Sequence, residues 1–153
     1  MPITKVPDKD HVIRHCKNRL VIRDEHGNPK DVFPDFFKLR VNRPGLDDEK
    51  YLSSSWAEYF DGSMKERAKL VAEVMSSATF KIKAKDSMVL LQVEKLKDCG
   101  LKEKTDIRVT HEPNKTNPAY SAIRGVPKKV NQRLVELFRT TAVIEIFAYS
   151  TLS

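Results

Sequence analysis

Hydrophobic and polar residues alternate most cleanly over Thr79–Lys85. Phe80, Ile82 and Ala84 share one parity and Lys81, Lys83 and Lys85 the other. A period of two predicts a strand with an apolar face and a lysine face. The same period recurs at Ile107, Val109 and His111 against Arg108 and Thr110. That strand should end at His111, because Pro113 and Pro118 cannot donate to a ladder. Between them Asn114, Lys115, Thr116 and Asn117 form a turn-prone loop. A strand resumes over Ala119–Ile123, and Gly125 and Pro127 stop it.

Shorter strands are predicted at Arg19–Arg23, at Val32–Phe33 and Phe36–Val41 beyond a turn at Asp24–Lys30, at Tyr51–Ser53 and at Val89–Gln92. Ala142–Tyr149 is almost wholly apolar, which suits a central strand buried on both faces, with Glu145 interrupting it. The spacing changes to that of helices in two main stretches. Met64, Ala68, Val71, Ala72 and Met75 make one stripe over 64–78, opened by a capping box of Ser63 and Glu66. Val130, Leu134, Leu137 and Phe138 make a second stripe over 128–140, with Pro127 at its start. A short helix over Val93–Cys99 should close at Gly100, and Ser55 with Glu58 reads as a further capping box.

These elements predict one α+β domain over 1–153, with residues 1–10 as a loose lead-in. Its mixed or antiparallel sheet should have about five to seven short strands, packed by the two main helices. The 153-residue length suffices for a core without disulfides, and Cys16 and Cys99 read as reduced thiols. No apolar run is long enough to cross a bilayer, and the first residues lack a signal core. The expected location is cytoplasmic.

Charge sharpens the functional picture. The net charge is +7, of which residues 61–153 carry +6. Such a field attracts nucleic acid, nucleotides or an acidic protein partner. The expected polyanion-binding residues are Lys81, Lys83, Lys85, Arg124, Lys128 and Lys129. Arg14, His15, Arg19 and Arg23 could also approach an anion if they share a surface. Phosphate-cradling and dinucleotide glycine motifs, a zinc-protease helix and a nucleophile elbow are all missing from the sequence, so no cofactor or metal is expected. An enzyme built from this chain would use scattered residues: His111 as acid or base, Asn114 or Asn117 as orienter, Tyr120 or Ser121 nearby, and Arg124 as an anion clamp.

Ser53-Ser54-Ser55 followed by Trp56 resembles the serine-rich strand that lines the nicotinamide pocket of ADP-ribosyltransferases. That resemblance implies an Arg or His on an early strand and a Glu or Gln on a later one. Arg40 and Glu145 are the candidates. The bland alternative is that the serines cap a helix and Trp56 anchors the core. The leading expectation is a small basic binding module for RNA, DNA, a nucleotide or an acidic protein, on its own or within a larger complex. The alternative is a small hydrolase or transferase acting on a phosphodiester or nucleotide through His111.

Overall fold

The structure is a computed structural model that describes residues 2–77 and 80–152. Its strands are β1 (Thr4–Lys5), β2 (His11–Cys16), β3 (Val21–Arg23), β4 (Pro29–Val32), β5 (Leu52–Trp56), β6 (Ser87–Gln92), β7 (Arg108–His111), β8 (Tyr120–Arg124) and β9 (Val143–Ala148). The helices are α1 (Met64–Met75), α2 (Val93–Lys102) and α3 (Gln132–Leu137), the last running into a π-turn over Phe138–Ala142. Seven strands form one antiparallel sheet in the order β1-β7-β8-β5-β2-β6-β9, and β3 and β4 form a separate hairpin. The chain is a single α+β domain.

The period of two on β2 and β6 sorts two cores to the two faces of the sheet. Val12, Cys16, Val89 and Leu91 join Phe36, Phe37, Leu96, Leu134 and Phe138 on the face covered by α2 and α3. Ile13, Met88 and Leu90 join Ala68, Val71 and Ala72 of α1 on the other. Phe36, Phe37 and Phe138 are essentially fully buried. Each such ring contributes about 1.5–3 kcal/mol by its removal from water. The capping box of α1 forms as expected: Glu66 N–H donates to Ser63 Oγ, and Ser63 N–H donates to the Glu66 carboxylate.

Several expectations are corrected. The lysine-rich stretch is not a strand over its described residues Phe80–Lys85; Thr79 lies outside the described residues. Its backbone groups are taken locally. Asp86 N–H donates to Lys83 O, Lys83 N–H to the Asp86 carboxylate, and the Arg23 guanidinium to Lys85 O. Ile82 is buried against the α1 core while Lys81, Lys83 and Lys85 stay exposed. The run ending in Tyr149 forms an edge strand, β9, not a central one, and Glu145 is exposed on it opposite Leu90.

The lead-in is partly sheet, since Thr4 and Lys5 pair with His111 and Thr110 and Val6 is buried. Phe36–Val41 holds no strand, because Pro34–Phe37 forms a 3-10 turn and the hairpin return is β4. Ser55 lies inside β5 and caps nothing; a 3-10 turn follows at Ala57–Tyr59. Helix α2 runs through Gly100 to Lys102. Helix α3 begins after Asn131, whose side chain accepts from Leu134 N–H, and Pro127 precedes that cap.

Candidate functional site

The site follows from an interruption in the middle of the sheet. Strand β2 pairs with β6 along its whole length, from His11–Gln92 to Cys16–Ser87. Its pairing with β5 covers only Val12–Trp56 and Ile13–Ser55. Meanwhile β5 stays paired with β8 from Ser55 back to Leu52. Beyond Ile13 the two central strands therefore part. A solvent-open groove of about 600 Å³ lies there, within the size range of ligand pockets.

Arg14 occupies the gap. Its Nη1 donates to Ser53 O at 2.8 Å and to Ser53 Oγ at 3.3 Å, its Nε donates to Phe36 O at 3.4 Å, and the guanidinium lies 5.1 Å from the centre of the Phe36 ring. The side chain is only partly covered from solvent. Its guanidinium nevertheless sits among packed protein atoms, and this burial lowers its pKa to about 10. It remains a cation at neutral pH. Among the described residues no carboxylate lies within ion-pair range of it, and Nη2 has no hydrogen-bond partner.

The rim adds to this charge. Lys17, Arg19, Lys38, Arg40 and Lys128 border the groove, against Asp35 and Glu49. Asp35 pairs with Lys38 and Glu49 with Arg40, each at 3.0 Å. Lys17 and Arg19 are exposed, and neither has an ion-pair partner among the described residues. The Phe80 ring, partly exposed, forms part of the wall.

His15 enters the same groove from the opposite face of β2. Consecutive strand residues point to opposite faces, and the parting of β2 from β5 lets both reach one cavity. His15 Nε2 donates to Asp86 Oδ2 at 2.9 Å, and its ring meets Phe80 edge-on at 5.3 Å. The Asp86 carboxylate is fixed in turn by Asn18 N–H and Lys83 N–H, both at 2.9 Å. Burial lowers the His15 pKa, only partly offset by Asp86, so the imidazole is neutral at pH 7. The amide and His15 hydrogen bonds outweigh burial at Asp86 and hold it ionised.

The residues singled out from sequence fall in several places. His111 lies three strand steps from β2 and is not part of the groove wall. Its Nε2 donates to Pro118 O at 2.7 Å, and its ring packs 5.1 Å from Trp56 and 5.8 Å from Tyr59. Asn114 Oδ1 accepts from Thr116 N–H and Asn117 N–H, closing the loop. Asn117 is buried, donating to Ser55 Oγ and accepting from Ala119 N–H. Tyr120 OH donates to Tyr51 OH. His111 and Asn117 thus hold the β7–β8 loop to the sheet, Asn114 closes the loop on itself, and Tyr120 ties β8 to the residue before β5. Arg124 forms a two-pronged pair with Glu112, at 2.8 and 2.7 Å, and stacks on Tyr51.

Of the expected basic residues, Lys128 borders the groove, whereas Lys129 is exposed elsewhere. Lys81, Lys83 and Lys85 follow Phe80 on exposed backbone between α1 and β6. Of Arg14, His15, Arg19 and Arg23, the first three meet in the groove, while Arg23 is spent on Asn18, Gly27 and Lys85. Ser53 and Arg40 both border it, but Glu145 on β9 does not, so the pair implied by the ADP-ribosyltransferase resemblance does not meet.

No protein family, curated protein or solved structure matches this chain.

Proposed function

We propose that this protein binds single-stranded nucleic acid, with backbone phosphates seated over Arg14 in the groove between β2 and β5. The observation that carries this reading is the charge state of Arg14. A partly buried guanidinium with no carboxylate partner is costly to hold. Glu49 acts on it only from beyond ion-pair range, so an incoming phosphate oxygen would supply a direct countercharge and take up Nη2. Lys17 and Arg19 extend the cationic surface outward, and Phe80 offers a ring on which a base can stack. A basic groove combined with an aromatic wall is what sequence-tolerant strand binding requires. An acidic polypeptide would also feel the field, but the recessed guanidinium favours a ligand that projects small tetrahedral anions.

The test is fluorescence anisotropy of labelled DNA and RNA single strands over a salt series. Binding should weaken linearly in log–log form, with a slope of about −0.7 per phosphate neutralised. Lys17→Ala and Arg19→Ala should each reduce the magnitude of that slope by about 0.7. Binding of an acidic peptide but of no nucleic acid would replace this reading with the protein-partner one.

A further inference from the structure

The groove also holds a group that binding alone does not use. His15 donates through Nε2 to Asp86, which leaves the lone pair of the neutral ring on Nδ1. Among the described residues Nδ1 has no hydrogen-bond partner, and it is not a fully buried atom, so solvent reaches it. A carboxylate that fixes the tautomer of a groove-lining imidazole, with the other nitrogen open to solvent, is the arrangement of a general base. Asp86 does not itself move: two backbone amides and the imidazole engage its oxygens.

We infer that His15 and Asp86 form a general-base dyad that hydrolyses a phosphodiester bound over Arg14. This rests on the binding reading above and assigns a reaction to the same groove. His15 Nδ1 takes a proton from water as the water oxygen bonds to phosphorus. The bond from phosphorus to the leaving oxygen breaks, and the imidazolium returns its proton to that oxygen. One phosphodiester and one water become one phosphomonoester and one alcohol. Arg14 stabilises the charge that gathers on the non-bridging oxygens. Asp86 is a positioning residue: it sets the tautomer and favours the transient imidazolium.

The charged groups facing the ring are Asp86 from the turn before β6, Arg14 from its own strand and Lys17 just past the end of that strand; Phe80 and Met88 also pack near it, both uncharged. Burial of the ring opposes imidazolium formation most, Asp86 favours it, and Arg14 and Lys17 add smaller opposing effects. The rate should therefore rise through an apparent pKa below 6.5, the ordinary histidine value, and level off above it.

The experiment uses the full chain with fluorophore–quencher-labelled single strands of DNA and RNA to follow cleavage. Phosphorothioate strands of the same sequence report binding. The wild type is expected to cleave, and His15→Asn to lose cleavage by about 100-fold or more while binding the phosphorothioate strand within about threefold. Asp86→Asn should lower the rate and move the acid limb of the pH profile, which a merely structural role would not do. Circular dichroism identifies any variant that fails to fold, and the wild-type rate and its pH profile then still decide. Binding without cleavage by the wild type, or cleavage that survives in folded His15→Asn, overturns the dyad and leaves the binding reading standing. Failure to bind either strand overturns the binding reading itself.

Discussion

Arg14 Nη1 donates to the carbonyl of Ser53 at 2.8 Å, across a gap where two neighbouring strands of the sheet no longer pair. A side chain thus spans a space that backbone bonds would close in an uninterrupted sheet. The opening allows Arg14 and His15, which point to opposite faces of β2, to share one cavity.

Replacing Arg14 should separate stability from binding. Arg14→Met removes a costly desolvated charge but leaves Ser53 O short of a donor, two opposing terms of about 1–3 kcal/mol each. The net change in unfolding free energy is expected within about 1 kcal/mol. Strand affinity should fall by about tenfold or more through loss of a charge-assisted bond. Urea denaturation and anisotropy on the same preparations check both numbers.

His111 should behave in the opposite way. His111→Ala deletes the bond to Pro118 O and the packing on Trp56 and Tyr59. A loss of about 1–3 kcal/mol of stability is expected, with strand affinity unchanged for the fraction that stays folded. Loss of affinity without loss of stability would return the functional site to the β7–β8 loop.

The pair Arg124–Glu112 predicts an acid dependence. The hydrogen bonds from Arg124, the largest influence, hold the Glu112 pKa below its ordinary 4.5. A folded-state pKa below the unfolded one means that the stabilisation is complete above pH 4.5 and is lost as pH falls through the lower folded value. Glu112→Gln should cost about 1 kcal/mol at pH 7, since the pair is partly solvated. Its difference from wild type should shrink on acidification below pH 4.5 in pH-resolved denaturation.

Gly125 ends β8 at φ +92°, and a Cβ there would collide with the carbonyl oxygen of Asp106. Gly125→Ala should destabilise by more than about 2 kcal/mol, combining backbone strain with the clash. A thermal melt would read this as a clear fall in Tm.

Much of the fold is legible in local chemistry. Ser63 and Glu66 announce the start of α1, the alternation of Ile107, Val109 and His111 places β7, and Pro118 with Gly125 and Pro127 brackets β8. The lysine stretch misleads because its alternation is real but its hydrogen bonds are not those of a strand. Ile82 needs burial, yet Asp86 captures the backbone around it. The apolar run of β9 misleads because residue type cannot say which strand lies at a sheet edge. The site is visible in the sequence only as a cluster of basic side chains on one short stretch, Arg14, His15 and Arg19. What joins them is the parting of β2 from β5, a long-range feature with no local mark. His111 drew attention by standing at a strand end, and in the fold that position serves the loop it anchors.

The most direct measurement is a ¹⁵N–¹H titration of the labelled protein with a short single strand, following the side-chain Nε–H of Arg14 together with the backbone amides. Binding in the groove should move the Arg14 side-chain signal and the amides of His15, Lys17, Ser53 and Phe80, while those of Asn114–Asn117 stay fixed. Shifts confined to the β7–β8 loop or to α2, with the Arg14 signal unmoved at saturation, would contradict it.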